Sequence, residues 1–469
     1  MNLNTLKFIT LAALVHMSPC VCAQTPRIVR ATGDRADIRD GDEFSKGSWR
    51  ISPTLNPDVY ESYMEGKSKK FTFITDRDSI TFDVEPGKSY PFVVLMDGKD
   101  SAFTEVRGIR LEPRAKFSAE YQRLHRGKTS VEVPEVYELV NVIFALTEKG
   151  RQDNGLIRRD TPYYQEVMQW FEAYRDNEAV RNMNSAFSST PDAQHSKKMD
   201  AYPFEFNDRD SIVQGKIYDR IGNSYTNALR EHIPDLIDFA RQTRFREFYQ
   251  KHIPFYNGLV ATYRDSVGVP DMQRWLNLNF PSTRYDSFKV IFSPLVSANQ
   301  SASWFNLDGF REVQAHVNFP FRKPGTPSRF SKKARQIMAG DIVFTELNHG
   351  FIGPEGEKAA NRSRIQKAFS DLTIWNDSTK SARYYDTPQS AFDEYMNWAL
   401  VSLRYADVAP QAEQPQLFAS VENMMVDVRG FRKFAEFNQF LVKTYQARKK
   451  GQVVADLYPQ ILTWFEDNQ

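Results

Sequence analysis

One stretch organises the predicted fold of the large C-terminal region: Asp341-Ile-Val-Phe-Thr-Glu-Leu-Asn-His-Gly-Phe-Ile352. We predict a helix here. Glu346 and His349 are three residues apart, so they share one helical face with their Cβ atoms about 5–6 Å from each other. Two such side chains can share a proton or a metal ion. An E-x-x-H pair is a weak motif by itself, and the alternative is a surface pair or a helix-end histidine before Gly350.

A second predicted helix, beginning at Thr387-Pro388, makes the first one more informative. It carries Asp393, Glu394 and Asn397 close together, with a long apolar face beyond them. A plain solvated face is the alternative interpretation. The two segments together are more specific than either segment alone.

The surrounding sequence, from about Arg114 to the end, has mainly helical periodicity. Helices are predicted to begin at Pro134 and at Thr161-Pro162, because proline is favoured in the first helical turn. We predict a surface loop over the Ser-rich residues 184–200, and an interruption at Pro254 in a helical region over residues 232–263.

Two strands interrupt these helices. The first is centred on Val290. In the second, side chains alternate between the two faces of a sheet, so His316 lies on the polar face with Gln314 and Asn318.

The N-terminal region, from about Ile28 to Leu111, has the period of two that is typical of strands. Pro86-Gly87 marks a turn and Asp97-Gly98 a hairpin. A spacing of about ten residues per strand suits an antiparallel sandwich. We therefore predict an α+β protein, in which a small β-sandwich-like domain over residues 24–112 precedes a large, mainly helical domain over residues 113–469.

The first residues have the features of an export signal. Lys7 precedes an apolar run that is too short to span a bilayer, and Val21-Cys22-Ala23 fits a cleavage site, which predicts removal of residues 1–23. A lipid-modified cysteine and a buried N-terminal helix are the alternatives. Cleavage would remove both cysteines, Cys20 and Cys22, and with them any disulfide or thiolate metal site. We expect a periplasmic or secreted protein without a transmembrane segment.

The amino-acid composition argues against a nucleic-acid-binding function. The chain has 469 residues with 61 Lys and Arg against 59 Asp and Glu, a formal charge of +2. So small a net charge gives no broad field that would attract nucleic acid.

The sequence resembles an uncharacterised family of exported Bacteroidota proteins, a domain of unknown function whose members often have a gluzincin-like metallopeptidase core. In that core one helix carries H-E-x-x-H followed by an aromatic residue, and a later helix carries a glutamate followed by tyrosine, as in Glu394-Tyr395. The resemblance extends over much of the chain, and the segments that carry it are Val133-Pro-Glu-Val-Tyr-Glu-Leu139, Pro162-Tyr-Tyr164, Trp170-Phe171, Val290-Ile-Phe-Ser-Pro-Leu295 and 344–352.

The resemblance implies a role for each residue of the motif. Glu346 takes the general-base position, while His349 and Glu394 take two metal-ligand positions. Thr345 stands where the first histidine is expected, and a threonine hydroxyl is not a usual zinc ligand. Glu346, His349 and Glu394 as a ligand set would suit Mg²⁺ or Mn²⁺ at least as well as Zn²⁺. His316 is a candidate for the missing histidine, and a protein without metal is the remaining possibility.

Three hypotheses follow. The first is an exported metallopeptidase-like protein with an incomplete or altered metal site, weakly active or inactive as a hydrolase, that binds polypeptide. It predicts that Glu346, His349 and Glu394 converge in a cleft while Thr345 faces the same point. The second is a peptide- or glycan-binding module without catalytic activity, in which Glu394 lies far from His349. The third is an active hydrolase that uses a substitute ligand. A distance above about 8 Å between the Glu394 carboxylate and the His349 ring would remove the gluzincin interpretation, since metal–ligand bonds are near 2 Å.

Overall fold

The computed structural model describes residues 27–97, 101–111, 113–190, 193–222, 224–321 and 328–469. The predicted signal segment, with Cys20 and Cys22, lies outside these residues. Within them the protein is α+β, as predicted, with a β-rich N-terminal part and a large, mainly helical C-terminal part. The chain divides into two compact units, Met1–Glu112 and Pro113–Gln469.

Alternating burial along several strands builds the N-terminal unit. In one strand Ile80, Phe82 and Val84 are buried while the residues between them are exposed. The strands are β1 (Arg27–Ala31), β2 (Arg35–Asp40), β3 (Glu43–Arg50), β4 (Asp58–Met64), β5 (Lys69–Ile74), β6 (Ser79–Val84), β7 (Ser89–Met96) and β8 (Ala102–Arg110).

These strands form two four-stranded sheets, whose buried side chains join one apolar core. The sheet in the order β3-β2-β5-β6 is antiparallel, as expected. The sheet in the order β1-β7-β8-β4 is mixed, because β1 runs parallel to β7 and β4 parallel to β8. In sequence β1 and β4 each adjoin strands of the other sheet. No hairpin therefore forces an antiparallel orientation on them.

The C-terminal unit combines one mixed sheet with a large set of helices. Its strands are β9 (Lys128–Glu132), β10 (Phe204–Phe206), β11 (Ile212–Gln214), β12 (Ser287–Ser293), β13 (Ser301–Leu307) and β14 (Phe310–Asn318). Its α-helices are α1 (Ala119–His125), α2 (Glu135–Leu146), α3 (Glu148–Gln152), α4 (Pro162–Phe171), α5 (Glu178–Ser189), α6 (Ala193–Met199), α7 (Ile233–Thr243), α8 (Phe245–Ala261), α9 (Val269–Asn279), α10 (Lys332–Met338), α11 (Asp341–Gly356), α12 (Ala359–Ala368), α13 (Pro388–Val408), α14 (Gln414–Asn423), α15 (Phe434–Gln446) and α16 (Tyr458–Asp467).

The four-stranded sheet of this unit has the order β13-β14-β12-β9, with β13 antiparallel at one edge and the other three strands parallel. One face is apolar and packs against α11, where the rings of Phe288 and Phe351 are 6.1 Å apart. The other face carries polar side chains and packs against α2, where the rings of Tyr137 and His316 are 5.7 Å apart. The predicted alternation of β14 is therefore confirmed, and both faces are covered by helices.

Two local predictions were wrong. Residues 184–200 contain the end of α5 and all of α6 instead of a loop. Ser188 and Ser189 donate hydrogen bonds to carbonyls of the preceding turn, so these serines are accommodated within the helix. Pro254 lies inside α8, and the chain breaks earlier, at Arg244, which has a left-handed backbone (φ 56°) between α7 and α8.

In the parts of the chain that the structure describes, no helix has both the length and the apolar character needed to cross a membrane.

Candidate functional site

The predicted pair of helices meets at the candidate site. Thr387 caps the N-terminus of α13 through its side chain, which accepts a hydrogen bond from the backbone N–H of Ser390 at 3.1 Å. Asn348 of α11 donates to the backbone carbonyl of Asn397 in α13 at 3.0 Å. These local signals start α13 at the predicted residue, and packing against α11 sets its polar turn beside His349.

The structure brings His349 and Glu394 together. The His349 Nε2 atom is 3.8 Å from Oε2 of Glu394. The Asn397 side-chain amide lies between them and donates to Nε2 of His349 at 2.9 Å and to Oε2 of Glu394 at 3.2 Å. Burial and the nearby Arg429 lower the pKa of His349 against the opposing effect of Glu394, so the imidazole is neutral and accepts from the amide.

Arg429 pairs with the other carboxylate oxygen of Glu394, Oε1. Its guanidinium forms a salt bridge with Oε1 and also donates to the Tyr385 hydroxyl at 2.7 Å. Trp398 adds a hydrogen bond to the same Oε1 at 3.0 Å. Burial disfavours the charged form of Glu394, but Arg429 and Asn397 outweigh burial, and the pKa of this carboxyl falls below its usual range. Glu394 is a buried anion with an internal cation as partner.

Glu346 differs from its neighbours in having free oxygens. It is partly buried, and no hydrogen bond or ion pair to it occurs among the described residues. Burial, reinforced by Glu394, raises the pKa of Glu346 to about 7, with Lys198 and Arg429 opposing the rise. Burial likewise lowers the pKa of Lys198 to about 7, against the effect of Glu346. A carboxyl with a pKa near 7 is suited to accept or donate a proton at neutral pH.

The two remaining candidates form no hydrogen bond with His349 or Glu394 among the described residues. The Thr345 hydroxyl donates to the carbonyl of Ile342 in its own helix at 2.8 Å. His316 lies on the polar face of the sheet, opposite the face that contacts α11, and its Nε2 is 3.3 Å from Oε1 of Gln314. The alternation that put His316 on the polar face also directs it away from His349.

The side chains as arranged do not fit a zinc site. His349 Nε2 and both oxygens of Glu394 already have protein partners, and the guanidinium of Arg429 already balances the charge of Glu394 through Oε1. Among the described residues, no group of three His, Cys, Asp or Glu side chains is placed to hold a metal ion. A hydrolytic zinc site needs three protein donors and an open position for water.

Comparison with known proteins adds no family assignment. No protein-family model, curated protein or solved structure matches the chain. The geometry of the site therefore carries the functional argument alone.

Sequence reasoning missed Arg429, Tyr385 and Lys198. Arg429 ends a π-helix, Met424–Arg429, and precedes Gly430, whose left-handed backbone (φ 90°) closes that turn. An arginine before a glycine signals a helix end, but no sequence spacing relates it to Glu394. Lys198 lies in α6, within the segment predicted as a loop, and helical periodicity there was the available signal.

Proposed function

We propose that this chain is an exported, metallopeptidase-like protein with an altered site that works as a polypeptide-binding protein and is weakly active or inactive as a hydrolase. The observation that carries the proposal is the Glu394–Arg429 ion pair beside His349. Glu394 stands at a metal-ligand position of the gluzincin pattern, but Arg429 balances its charge.

Convergence of the motif supports the metallopeptidase-like part of the proposal. The 3.8 Å separation of His349 and Glu394 is well inside the limit of about 8 Å that metal–ligand bond lengths set. An accidental surface pair at i,i+3 would not bring a second helix with a buried carboxylate to the same histidine. The binding-module hypothesis expects these two residues to be far apart, and this separation weighs against it.

The altered state of the site supports the loss of hydrolytic power. Thr345 stands at the first histidine position, and its hydroxyl bonds to its own helix. The third hypothesis needs a substitute ligand, and His316 faces the other side of the sheet. Glu346 keeps the properties of a base, since its pKa is raised to about 7.

An edge strand next to the site supports polypeptide as the ligand. β13 is the outer strand of its sheet, and an extended peptide can add to such an edge. The Trp304 carbonyl on this strand accepts a hydrogen bond from Arg114 at 3.2 Å, so an added peptide would have to displace that guanidinium. Trp304 of β13 is 37% exposed. Its indole closely approaches Gly350, the residue after His349, where an added Cβ would lie 2.1 Å from the indole nitrogen. Trp304 therefore lies against the turn of α11 that carries His349.

Export is part of the same proposal and rests on the N-terminal sequence alone. The apolar run and the cleavage pattern at Ala23 are typical of a signal peptide. Release into the periplasm or the medium suits a protein that meets unfolded or partly degraded polypeptide.

Metal analysis tests the altered site. The mature protein and its His349→Ala variant are each incubated with one equivalent of Zn²⁺, dialysed and analysed for bound metal. We expect neither to retain stoichiometric zinc. Stoichiometric zinc in the parent that disappears in His349→Ala would contradict the proposal and favour the active hydrolase.

Polypeptide binding is tested with fluorescently labelled β-casein, an unstructured probe. We expect the parent to bind it without cleaving it, and Trp304→Ala to bind at least about 10-fold more weakly, since exposed aromatic anchors carry much of an interface's energy. Leu278→Ala, at an exposed apolar residue of α9, is the matched control and should bind like the parent. Equal binding by all three proteins, or no binding at all, would refute the role of this edge.

A further inference from the structure

A cavity lies in the C-terminal unit, on the polar side of the sheet. It has a volume of about 340 Å³, within the range of small-molecule sites. Lys289 of β12 lines it together with Tyr121, Tyr202, Tyr218 and Glu132. α11 packs on the opposite face of the same sheet, so this cavity is separate from the candidate site and independent of the function proposed for it.

Lys289 is a buried cation with donors to spare. The residue is 5% exposed, and its ammonium donates to the Tyr202 hydroxyl at 2.9 Å. Three ring centroids, those of Tyr121, Tyr202 and Tyr218, lie 5.4, 5.5 and 5.6 Å from the ammonium nitrogen. An ammonium has three N–H donors, and Tyr202 accepts the one hydrogen bond that Lys289 donates within the described residues. The ring faces hold the charge in position without using the remaining donors.

The buried carboxylate of this cluster does not take those donors. Glu312 is fully buried and accepts hydrogen bonds from Tyr121 at 2.6 Å, from Gln314 at 2.8 Å and from Tyr218. Three donors satisfy it internally. Its negative charge stabilises the cluster, while the Lys289 ammonium stays available to the cavity.

Glu132 gives the cavity an anion at its partly exposed side. Its Oε1 atom is 4.0 Å from the Lys289 nitrogen, and its side chain is 39% exposed. The same oxygen accepts from the Tyr202 hydroxyl at 2.7 Å, which orients the carboxylate. The cavity thus presents a buried positive charge and, next to it, a more exposed negative one.

The rest of the wall is partly apolar and also includes Glu135, which pairs with Arg246, and the exposed Glu205 and Lys216. Val136 is 1% exposed and Phe204 is 6% exposed, and Pro134 and Pro203 lie beside them. The apolar part of this wall, next to the buried Lys289, strengthens any ion pair formed against it.

We propose that this cavity binds a small zwitterion, an α-amino acid with an apolar side chain, whose carboxylate pairs with Lys289 and whose ammonium faces Glu132. A zwitterion is neutral overall and matches both charges, whereas a simple anion would face Glu132 unfavourably. Hydrogen bonds between ionised partners are the strong class, which fits a ligand of this size.

Calorimetric titration of the full mature chain tests the proposal, with phenylalanine as the probe and two analogues that each lack one charge. We expect phenylalanine to bind, and both 3-phenylpropanoate and 2-phenylethylamine to bind at least about 10-fold more weakly, because each leaves one charged group of the cavity without its partner. Absence of phenylalanine binding, or equal binding of either analogue, would overturn the assignment.

Variants locate the site. Lys289→Met should reduce the affinity for phenylalanine about 10-fold or more, whereas Lys333→Met, at an exposed lysine of α10, should leave it unchanged. If Lys289→Met fails to fold, the Glu132→Gln variant tests the site instead. Glu132 is partly exposed, and the amide that replaces its carboxylate still accepts the hydrogen bond from Tyr202. We expect Glu132→Gln to weaken binding of phenylalanine about 10-fold without weakening binding of 3-phenylpropanoate. Unchanged phenylalanine affinity in Glu132→Gln would place the ligand elsewhere.

Discussion

Glu394 illustrates how one buried charge can determine the chemistry of its surroundings. Its carboxylate is 3% exposed and depends on Arg429, Trp398 and Asn397 for the interactions that water would otherwise provide. A buried ion pair adds little net stability, because desolvation offsets the attraction, but removal of one partner is costly. The Arg429–Glu394 pair therefore behaves as one unit that is hard to change at a single position.

We predict that Arg429→Met lowers the free energy of unfolding by about 3–5 kcal/mol, because it leaves the Glu394 carboxylate buried without its cation. Urea denaturation measures this. The double variant Arg429→Met/Glu394→Gln should recover a substantial part of the loss, since it removes the orphaned charge.

The matched control for this prediction is Arg241→Met. Arg241 pairs with Asp238, but both side chains are more than half exposed, at 67% and 63%. Exposed pairs contribute little, so the unfolding free energy should hardly change. A loss in Arg241→Met as large as that in Arg429→Met would argue against burial as the cause.

At the scale of single elements, α2 shows how a helix can be buried over almost its whole length. All its residues after Glu135 are buried, including the charged Glu138, which is 0% exposed. The Tyr163 hydroxyl donates to Glu138 at 2.7 Å. Burial nevertheless raises the pKa of Glu138 to about 7, with the hydrogen bonds from Ser293 and Tyr163 opposing the rise.

This pKa predicts a pH dependence of stability. The unfolded carboxyl loses its proton near its ordinary pKa of 4.5, whereas the folded one keeps it until about pH 7. Between these values the folded state binds more protons, so stability attributable to Glu138 falls as the pH rises and is lowest above pH 7. Glu138→Gln removes this dependence, because the amide does not titrate.

We therefore expect the free energy of unfolding of Glu138→Gln, relative to that of the parent, to be about 3 kcal/mol higher at pH 8 than at pH 4, from the pKa difference converted at the standard factor. Urea denaturation of both proteins at the two pH values measures the difference. Parallel pH profiles for the two proteins would show that Glu138 does not titrate as described.

Elements also show which local signals were reliable. Pro388 and the cap at Thr387 predicted the start of α13, because capping depends on adjacent residues. The strand alternation of β14 was equally local. Residues 184–200 were misjudged because their polar composition favours a loop, while the buried Val180, Met183 and Phe187 hold α5 in place.

At the scale of the whole molecule, each unit has its own apolar core. Buried side chains between Val29 and Val106 form the core of the N-terminal unit. The two other clusters begin at Ala115 and Val133 and contain no described residue from the N-terminal unit. A unit with a complete core of this size meets the usual condition for independent folding.

We predict that a fragment spanning residues 113–469 folds by itself. Its far-ultraviolet circular dichroism should show a predominantly helical protein, and its near-ultraviolet spectrum should retain aromatic signals from the packed core. A cooperative thermal transition is expected as well. An aggregated fragment without near-ultraviolet signal would contradict the independence of this core.

The α+β class, the start of α13 and the two faces of β14 were determined by the sequence itself, because capping, proline geometry and alternation act between residues close in the chain. The placement of Glu346 and His349 on one helical face was likewise determined by residues close in the chain. Tertiary structure alone decided that Glu394 lies beside His349 and that Arg429 balances the charge of Glu394. It also decided that His316 faces away from His349 and that Lys289 lies among three tyrosines. These contacts join residues far apart in sequence, and their energies depend on burial, which exists only once the helices and the sheet have packed.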